Sequence, residues 1–238
     1  MALSRDNAQQ VYFLEFCFGL VSWNSFMTGQ AASQGLRLED LTCTRGSRQL
    51  FRGLSLEVEP GQLLRVRGAN GAGKTSLLRM LCGLLLPSNG QVLWRGRPLA
   101  VQREKFGEDL VYLGHAAALK DELSPIENLL DACALNGHAP TTVVAMTALQ
   151  GAGLRGHERT PARRLSQGQR RRSALARLAV NHNPPLWILD EPFNALDTAA
   201  SAWLTGLIEA HLKGNGMVVL TSHQDIPIAA ERQLDLTL

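Results

Sequence analysis

The sequence predicts an α/β fold: a parallel sheet carrying a phosphate-binding loop, joined to antiparallel strands near the N-terminal side and a helical middle portion. Three observations predict it. Gly68-Ala69-Asn70-Gly71-Ala72-Gly73-Lys74-Thr75 follows the apolar run Leu63-Leu64-Arg65-Val66 and leads into a run from Thr75 to Leu81 that Gly83 stops. That order is strand, glycine-rich turn and helix. Two continuous apolar runs, Leu186-Trp187-Ile188-Leu189 and Met217-Val218-Val219-Leu220, have the composition of parallel strands covered on both faces. Between the loop and those runs, helix-start signals replace strand alternation.

Taken in order, the first 34 residues form an extension. Val11 to Met27 is apolar and aromatic-rich but carries Glu15, Gly19 and Asn24, with no basic region beyond Arg5 and no clear cleavage site. A buried charge argues against a membrane span. A membrane-surface anchor, a misassigned translation start and a segment packing on a partner compete. A start at Met27 is favoured, because the polar Thr28-Gly29-Gln30 linker follows it. Leu36 and Leu38, then Leu54, Leu56 and Val58, alternate with polar residues as half-buried strands do, and Glu59-Pro60-Gly61 turns the second one. Pro87 to Gly90 reads as a turn into the strand Gln91-Val92-Leu93-Trp94, and Gly96-Arg97-Pro98 as another turn.

In the middle, Ser124-Pro125-Ile126-Glu127 combines an N-cap serine, a proline at the first helical position and a glutamate at the third, a capping box. Thr141 caps a further helix running to Gly151, and a last helix spans about Thr198 to Leu212. No internal repeat or low-complexity tract occurs. The helical lobe is expected over about 116–180, inside a single domain of residues 35–238.

Composition excludes several function classes. The net charge of +3 is mild, and no run of Lys or Arg suggests a nucleic-acid groove. The cysteines, Cys17, Cys43, Cys82 and Cys133, are dispersed, with no C-x-x-C pair, so they read as reduced thiols rather than a disulfide or zinc framework. The histidines have no ligand spacing. Apart from His223 and His115 they read as ordinary surface or loop residues.

The chemistry follows from residue types. G-x-x-x-x-G-K-[ST] lets Gly68, Ala69, Asn70, Gly71, Ala72 and Gly73 turn backbone N–H groups toward a nucleotide's phosphates. Lys74 reaches the β- and γ-phosphates of ATP, and the Thr75 hydroxyl ligates Mg²⁺. The strand Leu186 to Leu189 ends in Asp190 and Glu191. Asp190 there completes the Mg²⁺ site, and Glu191 is placed to polarise a water toward the γ-phosphate. Without the loop, two solvated acids at a strand end would be the better reading.

Leu165-Ser166-Gln167-Gly168-Gln169 resembles the L-S-G-G-Q signature of ATP-binding cassette (ABC) ATPases, with Gln167 in place of the first glycine. Ser166 would start a helix whose N-terminal N–H groups favour an anion, in the family the γ-phosphate bound by the opposite subunit, and Arg170 to Arg172 would follow in its first turns, close to that incoming triphosphate. Asn194-Ala195-Leu196-Asp197 resembles the D-loop of that family, and His223 its switch histidine. The resemblance implies a P-loop NTPase, with an ABC ATPase core, an antiparallel β subdomain and a small helical lobe. It further implies ATP hydrolysis with Glu191 and His223 as catalytic residues. Ser166 and Gly168 would contact the nucleotide of a second copy of the chain in an ATP-sandwich dimer. Two departures stand out: His115 occupies the place of the Q-loop glutamine, and Arg45, whose planar guanidinium can stack, occupies that of the adenine-stacking aromatic.

Within the family, residues 35–238 are most similar to the haem-exporter branch that serves cytochrome c maturation. The similarity lies in Tyr112-Leu113-Gly114-His115, Leu123 to Leu130, Leu186 to Phe193 and Thr221-Ser222-His223-Gln224. It implies a peripheral subunit on the cytoplasmic face of the bacterial inner membrane, partnered by a small multi-span permease. ATP hydrolysis would be coupled to haem export or to release of a haem-loaded chaperone. A cassette subunit for another small substrate, such as a lipid or drug exporter, is the alternative. Soluble cassette proteins acting on nucleic acid or ribosomes join two cassettes or carry long coiled coils, and neither occurs here.

Overall fold

A computed structural model describes residues 34–180, 184–222, 228 and 232–238. The Val11 to Met27 segment, Cys17 and His223 lie outside the described residues. The expected α/β architecture is borne out as two sheets with a helix between them.

The antiparallel sheet has the order β2-β1-β4-β5, formed by β1 (Leu36–Arg45), β2 (Arg48–Val58), β4 (Asn89–Trp94) and β5 (Arg97–Pro98). Here two expectations shift. Asn89 and Gly90 already belong to β4, and the turn before β5 falls at Arg95 and Gly96, both at positive φ, leaving Arg97 and Pro98 paired with Trp94 and Leu93. A two-residue edge strand tolerates the proline because its missing N–H would face away from the ladder.

The second sheet is parallel, in the order β6-β7-β8-β3-β9. Its strands are β3 (Leu63–Arg67), β6 (Leu110–Leu113), β7 (Leu186–Leu189), β8 (Met217–Thr221) and β9 (Gln233–Thr237). Alternate residues serve opposite faces. Leu186, Ile188 and Val219 join one apolar cluster with α1 (Lys74–Leu81) and the antiparallel sheet, while Trp187, Leu189, Val218 and Leu220 join another with α7 (Thr198–Lys213). Burial of both faces explains why these strands read as unbroken apolar runs rather than as alternation. Arg65, in the middle of β3 and 5% exposed, is satisfied by the carboxylate of Asp235 on β9, with Nε at 2.6 Å and Nη2 at 2.9 Å. That bidentate pair holds the Asp235 carboxyl below its ordinary pKa.

Between β6 and β7 the chain is helical: α3 (Pro125–Leu135), α4 (Thr142–Gly151), α5 (Gln167–Leu175) and α6 (Arg177–Val180). Ile126, Leu129, Cys133, Ala145, Leu149 and Ala176 bury a separate apolar cluster there. Both expected caps form: Ser124 and Glu127 make the capping box of α3, and the Thr141 hydroxyl accepts from the Val144 N–H. The short α2 (Arg103–Glu108) precedes β6 and buries a single apolar side chain, Phe106.

His211 departs from the expectation of a surface or loop residue. It lies in the last turn of α7, 3% exposed, stacked on Trp187 with ring centroids 3.9 Å apart. Burial holds its pKa down at about 4, against an ordinary 6.5, so the ring is neutral at pH 7. The unfolded chain gains this proton first. The stability that depends on a neutral His211 is therefore complete above pH 6.5 and is lost as the pH falls toward 4. Denaturant unfolding at pH 5 is expected to show about 2 kcal/mol less stability than at pH 7.5 from this residue. A His211→Gln chain should lack that increment; an unchanged pH dependence would assign it elsewhere.

Candidate active site

The glycine-rich loop joins β3 to α1. Gly73 has φ 109°, and an added Cβ would lie 3.1 Å from Leu50 Cβ and 3.2 Å from Phe51 Cδ1, so backbone and space both require glycine. Lys74, the first residue of α1, is 8% exposed and donates from Nζ to the carbonyls of Gly68 at 2.8 Å and Ala69 at 3.3 Å. The ammonium is thus held over the loop. The Ala72 N–H donates to the Ala69 carbonyl at 3.2 Å, closing the turn through Asn70 and Gly71.

The acidic end of β7 meets this loop. The Thr75 hydroxyl donates to Asp190 Oδ2 at 3.0 Å, and the Thr221 hydroxyl, from the end of β8, donates to Asp190 Oδ1 at 2.8 Å. The Thr221 oxygen in turn accepts from the Glu191 N–H at 2.7 Å. Both Asp190 and Thr221 are buried, at 2% and 0% exposure. One hydroxyl therefore fixes the carboxylate of one acid and the backbone of the next. Glu191 adopts a left-handed backbone, φ 51°. Thr221 was absent from the sequence-based site, since a threonine ending an apolar strand carries no signal of its own.

These groups share a cleft of about 530 Å³. It is lined by Ala69, Asn70, Gly71, Gly73, Lys74 and Thr75 of the loop, by Asp190, Glu191 and Asn194, and by His115 and Arg45. Both departures from the family pattern, His115 and Arg45, thus sit at the same cleft. Ser166 and Gly168 do not line it.

Those two residues begin α5. Ser166 is its N-cap: its Oγ accepts from the Gln169 N–H at 3.2 Å while its own N–H donates to Gln169 Oε1 at 2.9 Å. A Cβ on Gly168 would meet the Ala195 carbonyl at 2.8 Å, so a glycine there lets the start of α5 press against the Asn194–Asp197 turn. The arginines behind it make contacts within the chain. Arg170 pairs with Asp121 at 2.7 Å and Arg172 with Asp197 at 3.1 Å. Arg171 is 5% exposed and donates to four backbone carbonyls, of Gly114, His115, Asp190 and Glu191. Three successive helix positions thus serve three separate sets of partners.

A family model described as ABC transporter matches residues 51–194. The chain belongs to the ABC transporter family. As an ABC protein it binds and hydrolyses ATP. It is 51% identical over 203 residues to the cytochrome c biogenesis ATP-binding export protein CcmA of Dechloromonas aromatica (strain RCB), covering 85% of this chain and 99% of that protein. It is 54% identical over 190 residues to the protein of the same name from Aromatoleum aromaticum, covering 80% of this chain and 89% of that one. Among solved structures, a putative ABC transporter ATP-binding protein from Pyrococcus furiosus superposes with a TM-score of 0.73 at 24% identity, over 85% of this chain and 97% of that one. A dimeric post-hydrolysis ATP-binding cassette bound to ADP and Pi superposes with a TM-score of 0.72 at 22% identity, over 84% of this chain and 94% of that one. These superpositions carry the ABC fold. Among the described residues no helix is long and apolar enough to cross a membrane.

Proposed function

We propose that this chain is the ATP-hydrolysing subunit of a cytochrome c biogenesis export complex. In this reading it works as an ATP-sandwich dimer beneath a small multi-span permease, peripheral to the cytoplasmic face of the inner membrane. It couples hydrolysis to haem export or to release of a haem-loaded chaperone. The observation that carries the reading is the 51% identity to a protein named for that task across 99% of its length. Neither the cleft nor any described histidine cluster addresses haem itself, so substrate choice falls to the permease.

In the proposed mechanism the loop N–H groups of residues 68–73 cradle the phosphates and Lys74 sets its charge against the β- and γ-phosphates. Thr75 Oγ1 and Asp190 Oδ2, 3.0 Å apart, are hard oxygen donors of the kind Mg²⁺ prefers, so these two residues fit the ion and would hold it. Bound there, Mg²⁺ supplies neutralisation of the charge that builds on the phosphate oxygens. Glu191 takes a proton from the attacking water as its oxygen bonds to the γ-phosphorus, and the bond from that phosphorus to the bridging oxygen breaks to give ADP and phosphate. Ser166 and Gly168 serve the γ-phosphate bound by the second copy, consistent with their position off the chain's own cleft. His223, placed in the site by its sequence order, lies outside the described residues.

Affinity purification of the full chain from membranes is expected to bring down a small multi-span permease, and a null strain should lose haem-staining c-type cytochromes. Wild-type levels of those cytochromes in the null strain would overturn the biological assignment and leave the ATPase chemistry in place.

A further inference from the structure

Hydrogen bonding between β6 and β7 ends with the pair Leu113 and Leu189 and one further bond, from the Asp190 N–H to the Leu113 carbonyl at 2.8 Å. Beyond that point one chain leads to His115 and the other to Glu191, and both residues line the nucleotide cleft. A buried side chain bonds to both segments. From α5, Arg171 directs Nη1 to the carbonyls of Gly114 at 2.8 Å and His115 at 3.3 Å, and Nη2 to those of Asp190 at 2.6 Å and Glu191 at 3.0 Å. The planar guanidinium fork suits two parallel sets of acceptors; an ammonium would reach one set at a time. The arginine is 5% exposed, so water does not offer these carbonyls a ready substitute. Glu191 has φ 51°, a conformation that a non-glycine residue holds only where surrounding contacts impose it. Its N–H is fixed by Thr221 at 2.7 Å and its carbonyl by Arg171. Those two bonds bracket the strained residue.

We propose that Arg171 is a positioning residue for ATP hydrolysis: by clamping the backbone of Gly114–His115 to that of Asp190–Glu191, it aims the Glu191 carboxylate and the His115 side chain into the nucleotide cleft. This rests on the reading of Glu191 as the general base. Arg171 touches no reacting atom and acts through backbone. Its loss should therefore leave nucleotide binding by the loop intact and slow the chemical step, because small misplacements of a catalytic group cost large rate factors.

The test is a double-mutant cycle in the full-length chain in its membrane complex, using ATP, with turnover expressed per nucleotide bound at saturation. Arg171→Gln is expected to lower kcat per bound nucleotide about ten- to a hundredfold, with KM within about twofold of the unsubstituted chain. In a Glu191→Gln background, adding Arg171→Gln is expected to change the residual rate by less than about twofold, because the group it aims is already gone. Arg171→Lys, which keeps the charge without the fork, should recover only part of the loss. It also carries the same cycle if Arg171→Gln does not fold. Unchanged kcat per bound nucleotide in Arg171→Gln, or an equal fold-loss with and without Glu191, would overturn the proposal. Near-normal hydrolysis by Glu191→Gln alone would overturn the general-base reading first, and the two failures are told apart by that single variant.

Discussion

Glu191→Gln is expected to lower ATP turnover by about a hundredfold or more, the usual contribution of a positioned general base, while ATP binding is retained. The substitution exchanges one carboxylate oxygen for an amide and leaves the residue's backbone held as before, its N–H on Thr221 and its carbonyl on Arg171. Glutamine therefore occupies the same place without the ability to take up the water's proton. A chain that binds ATP and does not consume it should accumulate as the two-copy species, since both nucleotides persist between a loop and the opposing Ser166. Size-exclusion chromatography with and without ATP, beside a phosphate-release assay, measures both effects. Hydrolysis near the level of the unsubstituted chain would remove Glu191 from its role.

Lys74→Ala should act on binding instead. Its Nζ lies 2.8 Å from the Gly68 carbonyl, held at the loop where the phosphates are expected. Removing it deletes a charge-assisted contact worth roughly 2–3 kcal/mol, about thirty- to a hundred-and-sixtyfold in Kd for ATP. Alanine at the first position of α1 is a good helix former, so the fold is expected to persist. Titration with a fluorescent ATP analogue provides the affinity and a thermal melt the control. Unchanged affinity in a folded variant would show that the backbone N–H groups alone carry the phosphates.

The parts of this molecule that were legible in sequence are those where one local signal suffices. The strand–loop–helix around Gly68 to Leu81, the buried runs of β7 and β8, and the caps at Ser124 and Thr141 each declare themselves within a dozen residues. The strand β9 did not: Gln233–Thr237 is half-exposed at the sheet edge, and its pattern is too short to separate from loop. Its Asp235 explains the otherwise odd Arg65 in a buried strand, a relation across 170 positions that no local pattern encodes. The helix α2 was missed because it buries only Phe106. The contacts that the Arg170 to Arg172 run makes within the chain were hidden for a related reason. Successive helix positions point about 100° apart, so a charge cluster in sequence became three separate contacts in space. The acidic pair at the end of β7 was found, whereas Thr221, which links its two members, entered only as part of the run Thr221 to Gln224 and not as a site residue.

The position of β3 has a consequence for how the protein is made. β3 carries the phosphate-binding loop, yet its neighbours on either side are β8 and β9, paired through Leu63 with Val218 and with Gln233. During synthesis the loop leaves the ribosome well before β8 and β9, with both edges of its strand bare until those strands follow. Pairings of such long sequence separation are slow to form, and an unpaired apolar strand is prone to join the wrong partner. A nascent chain halted before Met217 would hold every residue of the loop and lack both strands that flank β3. A loop shaped for phosphate is therefore expected only after β8 and β9 have been made, and until then the apolar strand Leu63 to Arg67 is open to mispairing.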